Sequence, residues 1–249
     1  TDTPPELVHL EVADAVATIT LDSPHNRNAL SRQLVTELFA ALEAARSDDS
    51  AVLVLRSADR VFCSGADLSE ATEGAMEQGT RALVDLQRLI VTHPKPVVVR
   101  LAGPVRAGGL GLVASADIAI CSDDVTFAFT EARLGVAPAV ISLTVLARMT
   151  SRAAFDTFLT GRTFDAAEAA AMGVVTRSVP ADELDDEIAR VCDDLRQAHP
   201  QGLAETKALL AREVVARIDA GADDMAALSA RLFASDGARE AITAFLQRR

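Results

Sequence analysis

An α/β fold is predicted for these 249 residues from three observations. Strand-like apolar runs alternate with amphipathic helical stretches through the first half, one of those runs, Ala51 to Leu55, is apolar throughout, and beyond about Ala139 the pattern turns almost wholly helical. Leu7 to Glu11 and Ala15 to Leu21 form a strand pair, Val16, Thr18 and Thr20 alternating with Ala17, Ile19 and Leu21. Asn28 to Arg46 predicts a helix, because Leu30, Leu34, Leu38 and Leu42 recur on one face. Ala51-Val52-Leu53-Val54-Leu55 has no polar side, so it predicts a strand buried on both faces, as parallel strands are. Ala75 to Thr92 is a second amphipathic helix, ended by His93-Pro94-Lys95-Pro96 because proline disfavours helix in the residue before it.

Val97 to Ala102 gives another buried strand, and Ile118 to Ile120 and Thr126 to Phe129 give short ones. Helices are expected over 140–149, 151–160, 165–171, 182–198, 202–219 and 223–247, with one strand-like piece at Val174 to Val179. Residues 1–195 are expected to form the core unit and 196–249 a C-terminal helical region. Met225, Leu228, Leu232, Phe233, Ile242 and Phe245 make that region apolar enough to predict packing between subunits, with packing on its own core as the alternative.

Composition excludes several classes of function. With 24 Lys and Arg against 36 Asp and Glu, the net charge of −12 opposes non-specific attraction to nucleic acid or anionic membrane, and neither is expected as a partner. Any anionic ligand must be met by local cations. The segment Thr1 to Glu6 is acidic without an apolar stretch, and no run approaches the roughly 20 residues needed to span a bilayer, so a cytoplasmic protein is expected. Three cysteines and four scattered histidines offer no disulfide framework, metal-ligand spacing or local Ser/His/Asp set, and no metal is expected.

Two glycine-bearing turns stand out, Cys63-Ser64-Gly65-Ala66-Asp67-Leu68 and Gly103-Pro104-Val105-Arg106-Ala107-Gly108-Gly109-Leu110-Gly111. Each follows a strand-like run and opens a helix-like one. Such a turn leaves backbone N–H groups without intrahelical partners at the positive end of a helix. Two of them facing one point make an oxyanion hole, which suits acyl or enolate chemistry.

Set beside Arg27-Asn28-Ala29-Leu30, Pro94-Lys95-Pro96 and Ala116-Asp117-Ile118-Ala119-Ile120, in this order, the turns resemble those of the enoyl-CoA hydratase/isomerase family, the crotonase superfamily. The resemblance implies a spiral of β-β-α units with a helical C-terminal region that forms a homotrimer or a hexamer. It implies an acyl-CoA thioester as substrate, with no separate cofactor because CoA travels with the acyl group. By position, the thioester oxygen would meet the N–H groups of Ala66 and Gly108. The CoA site would draw on Arg27, Ala29, Ser64, Asp67, Leu68 and Gly111. Phe245 and Arg248 match an aromatic and basic pair that relatives contribute to a neighbouring subunit's CoA site.

Hydratases of the family use two glutamates, one three residues after the oxyanion-hole glycine and one further along. In this chain those positions hold Gly111 and Glu131, so Glu131 is the expected single acid/base. Hydration of an enoyl-CoA, a carbon–oxygen lyase activity, is the leading expectation. Leu134-Gly135-Val136-Ala137-Pro138-Ala139-Val140-Ile141-Ser142 resembles the methylglutaconyl-CoA hydratase subgroup of branched-chain degradation. Double-bond isomerisation needs only one base and is the alternative, followed by binding of acyl-CoA without chemistry. Arg106 is expected in an internal salt bridge, with a substrate carboxylate as its alternative partner; Asp67 and Asp117 are expected to fix turns, Cys63 to pack, and Lys207 to face solvent.

Overall fold

Two short positive-φ residues, Asp14 and Ala15, turn the chain between β1 (Val8–Ala13) and β2 (Val16–Leu21), which pair antiparallel. A two-residue loop with both φ values positive matches the twist of the strands it joins. In this computed structural model, which describes residues 5–70 and 73–247, β1 and β2 begin a six-stranded sheet in the order β1-β2-β3-β4-β6-β9. Its other members are β3 (Val52–Ser57), β4 (Val97–Leu101), β6 (Ile118–Ser122) and β9 (Arg177–Val179), all parallel to their neighbours. A smaller sheet holds β5 (Val105–Arg106), β7 (Thr126–Ala128) and β8 (Phe164–Asp165).

The uniformly apolar strands are buried on both faces, as their composition requires. Leu53, Leu55, Val97 and Val99 join the main core with Leu34, Leu38 and Leu42 of α1 (Arg32–Ala45). Val52, Val54, Val98 and Ile120 point the other way, and α7 (Leu184–Arg196) covers them with Leu184, Ile188 and Val191. The helix α1 starts later than its leucine repeat suggests. Arg27 and Asn28 have φ values of 59° and 52°, which no helix accommodates, and Asn28 spends its amide on Ser23 N–H and Val61 O. Ser31 caps the helix instead, accepting from Leu34 N–H at 3.3 Å.

Along the chain α2 (Glu73–Thr92) follows β3 and α3 (Gly108–Ser115) follows β5, and α4 (Ala139–Val145), α5 (Ser151–Thr160) and α6 (Ala166–Met172) come later. The two helices expected at 202–219 and 223–247 are divided elsewhere: α8 runs unbroken over Pro200–Phe233 and α9 spans Asp236–Leu246. Gly221 does not break α8 because a Cβ there would stand 2.8 Å from Leu143 Cδ2, so glycine serves the close approach of α4. The break falls at Ser235, whose hydroxyl caps Ala238 N–H. Val214 and Ile218 carry α8 into the main core.

Lys207 corrects the expectation of a surface side chain. It is buried, 2.8 Å from Asp117 and bonded to the carbonyls of Ile90 and Lys95. Asp117 also accepts from Val97 N–H at 2.7 Å, so this ion pair ties α8 to the edge of β4. No helix of the described residues is long and apolar enough to cross a membrane.

Candidate active site

The bend at Gly65, with φ +95°, is one that L side chains rarely adopt. Leu30 N–H donates to Gly65 O at 2.8 Å and holds the bend in place. Across from it, Ala107 joins β5 to α3 with φ 46° and ψ −120°, a strained geometry for a residue other than glycine. Its own N–H is spent on Ala128 O at 3.0 Å. The chain thus turns sharply, and Gly108 becomes the first residue of α3, where an N–H has no intrahelical acceptor.

The two turns face each other closely. Gly108 N lies 3.7 Å from where a Gly65 Cβ would be, and Ala66 N lies 3.9 Å from where a Gly108 Cβ would be. Neither N–H has a hydrogen-bond partner among the described residues. Both open into one cavity of about 870 Å³, large enough for an extended ligand.

Glu131 lines the same cavity. Phe129, two residues earlier, is fully buried against Phe158 and Phe164, with ring centroids at 4.4 and 5.9 Å, and this anchor sets the carboxyl at the wall. Glu131 Oε2 has no hydrogen-bond partner among the described residues. Burial without a counter-charge pushes its pKa up to about 7. The other carboxylates on the wall are occupied: Asp67 accepts from Asn26 and Ser69, and Glu70 accepts from Arg32 N–H.

Of the residues expected at the site, Arg27, Ala29, Ser64, Ala66, Asp67 and Leu68 line the cavity, as do Gly108, Glu131 and Phe245. Phe245 borders the cavity of its own chain, and Arg248 lies outside the described residues. Gly111 does not line it. A Cβ at Gly111 would be 2.7 Å from Ile141 Cγ2 and 3.1 Å from Gln87 Oε1, so its surroundings are filled. Gln87 is itself held by Thr144 Oγ1 at 2.7 Å. Neither Gln87 nor Thr144 was singled out by sequence; only the buried face of α2 hinted at the first.

Two further expectations meet the structure here. Arg106 is not in a salt bridge among the described residues; it donates to Thr126 O, Thr126 Oγ1 and Val105 O. Cys63 is buried, and desolvation pushes its thiol up to about 12, which removes it as a nucleophile.

Two backbone donors and one buried carboxylate oxygen, all without partners among the described residues, belong to residues of one cavity wall, an arrangement suited to carbonyl-polarising proton-transfer chemistry. Residues 11–249 match the enoyl-CoA hydratase/isomerase family model, and the chain belongs to that family. It is 43% identical to an enoyl-CoA hydratase from Mycobacterium avium whose crystal structure superposes with a TM-score of 0.92, covering 98% of each chain. The rat mitochondrial enoyl-CoA hydratase domain-containing protein 3 is 29% identical over 98% of this chain and 83% of its own length. A methylmalonyl-CoA decarboxylase in complex with 2-nitronate-propionyl-CoA shares the fold, at 23% identity and a TM-score of 0.85 over 98% of this chain and 96% of its own. The fold is the crotonase-like α/β type with a helical C-terminal region.

Proposed function

We propose that this chain hydrates an enoyl-CoA thioester, with Glu131 as the one side chain that moves protons. The observation that carries this is the buried Glu131 carboxyl, its Oε2 without a partner among the described residues, on the cavity that Ala66 and Gly108 also line. The thioester oxygen accepts hydrogen bonds from the two N–H groups, which stabilise the charge that gathers there as water adds. Glu131, ionised, takes a proton from water as its oxygen bonds to the β-carbon, and the π electrons shift to give an enolate. The protonated carboxyl then returns that proton to the α-carbon on the same face, so one group serves both steps and the balance is water added across the double bond. A pKa of about 7 suits both taking and giving the proton near neutral pH.

Arg27 and Arg32 bring cations to the cavity wall, which an otherwise acidic chain needs for the phosphates of CoA. Ala29, Ser64, Asp67 and Leu68 shape the adjoining wall, with Phe245 and Arg248 assigned to the same arm. A branched, methylglutaconyl-type acyl group and a trimeric or hexameric assembly follow from the resemblance of the chain.

A second activity is favoured by one specific feature. Among the described wall residues no second free carboxyl is present to clamp water, and a single base suffices to move a double bond from one carbon to another. A panel of 2-enoyl-, 3-enoyl- and 3-methylglutaconyl-CoA esters separates the two. A water adduct that disappears with Glu131→Gln is the result expected; an isobaric product assigns isomerisation. Tight binding with unchanged substrate throughout overturns both.

A further inference from the structure

Arg106 is half-buried on the wall of the active-site cavity, one residue from the turn that presents Gly108. Its guanidinium has five N–H donors in a rigid plane. Nη1 reaches Thr126 O at 2.6 Å and Val105 O at 3.0 Å, and Nη2 reaches Thr126 Oγ1 at 2.9 Å. The end of the plane formed by Nη1 and Nη2 is therefore turned onto Thr126. Nε–H and the Nη2–H beside it are left without a partner among the described residues. Those two parallel donors are the edge that takes a carboxylate in a two-point grip.

The other cations drawn out of solvent here are compensated. Lys95 meets Asp48 at 2.7 Å, Lys207 meets Asp117 at 2.8 Å, and Arg100 meets Asp185 at 2.6 Å. Arg148, which has no carboxylate, donates to Ala114 O and Ala116 O at the C-terminal end of α3, where the dipole favours a positive charge. Among the described residues Arg106 has neither kind of compensation, and burial acts against its charge. Arg106 and Glu131 line the same cavity. Two groups on one wall, one moving protons and one holding fixed charge, suit a ligand that extends from the first to the second.

We infer that the unoccupied edge of Arg106 binds a carboxylate at the far end of the acyl group, making this site selective for dicarboxylic acyl-CoA thioesters. The inference rests on the acyl-CoA assignment above and deepens it by naming the residue that selects the acyl class. A phosphate of CoA is the other anion that this edge would grip. Arg27 and Arg32 line the same wall and can meet that phosphate, so the test below includes free CoA to separate the two anions.

The test measures binding, so it does not depend on which reaction follows. Calorimetry on the full chain compares glutaryl-CoA, pentanoyl-CoA with the same number of carbons, and free CoA. Wild type is expected to bind glutaryl-CoA roughly tenfold to a hundredfold more tightly than pentanoyl-CoA, the range for a charge-assisted hydrogen-bonded pair. Arg106→Gln is expected to erase that preference while leaving the other two ligands within about twofold, the scatter of a site whose remaining contacts are untouched. Arg106→Lys should keep part of it. Equal binding of the two esters by wild type overturns the inference even if the variants do not fold. A parallel loss for all three ligands in Arg106→Gln overturns it too and assigns the residue to CoA phosphate or to structure. Binding of neither ester nor CoA overturns the acyl-CoA assignment, and the inference with it.

Discussion

The Glu131 carboxyl makes a quantitative claim about stability as well as catalysis. Its pKa rises from an ordinary 4.5 to about 7 because the group is buried with no cation or donor facing Oε2. Each tenfold change in an ionisation constant is worth about 1.4 kcal/mol, so the ionised form costs the folded state about 3 kcal/mol. The direction follows from linkage. Below pH 4.5 the carboxyl is neutral in both folded and unfolded chains and costs nothing. Between 4.5 and about 7 the unfolded chain releases the proton while the folded chain keeps it, so stability falls as pH rises. Above about 7 both are ionised and the full cost persists.

Glu131→Gln removes the titration and little else, since the side chains are nearly the same size. Urea unfolding of wild type and variant, at equal protein concentration from pH 4 to 9, gives the difference in stability at each pH. That difference is expected to move by about 3 kcal/mol in favour of the variant on going from acid to alkaline conditions. Other carboxylates whose pKa is lowered by their partners, such as Asp48 and Asp67, affect both proteins alike and cancel. Any constant offset from placing an amide there also drops out. Parallel curves would refute the argument, because they would mean that Glu131 titrates as it does in the unfolded chain.

The same carboxyl predicts that kcat/KM of wild type rises with pH through about 7 and then levels, since the free enzyme must hold the base ionised, and that Glu131→Gln loses about 10²–10⁴-fold in rate. A profile falling through pH 7 would assign Glu131 as an acid at the outset. Ala107→Gly should raise stability by about 1 kcal/mol in urea titrations, because relief of the strained φ and ψ outweighs the entropy that glycine adds to the unfolded chain. Lys207→Met should cost about 3 kcal/mol by leaving Asp117 without its buried partner, a loss that Asp117→Asn in the same background partly restores. Gly111→Glu should destabilise by at least about 3 kcal/mol, read from the denaturation midpoint, and should not raise hydration.

Much of this was legible because burial leaves a plain signature. Where a strand is covered on both faces it shows an unbroken apolar run, as Val52 to Leu55 and Val97 to Val99 do, while Arg56 and Arg100 further along the same strands are only partly buried. The turn at Gly65 was also legible, because few residue types tolerate its φ, whereas Ala66 and Gly108 were assigned by position from the resemblance and the strained Ala107 between β5 and α3 carried no signal of its own. What the sequence concealed depends on partners distant along the chain. Lys207 looks like any helix-surface lysine until β4 and Asp117 are brought against it. The strand β8 has two residues, too few for any period to show. The end of α8 was misplaced because Gly221 resembles a helix stop, whereas its meaning comes from Leu143 on another helix.

Gly111 has the same kind of meaning. By position it stands where relatives carry a second glutamate, and from sequence alone it suggests an empty place beside the reacting carbons. The space is instead taken up by the methyl of Ile141 and the amide of Gln87, which Thr144 and the carbonyls of Leu83 and Val140 hold in position. Ile141 Cγ2 is a branch fixed at its own Cβ and has no flexible end to swing aside. A longer side chain at 111 would have to displace this buried hydrogen-bonded group. Glycine at 111 and the pair Gln87–Thr144 are thus parts of one arrangement, and a carboxylate cannot be restored there by a single substitution. In the reading proposed above the proton transfer then falls to Glu131 alone, whose pKa is raised by burial.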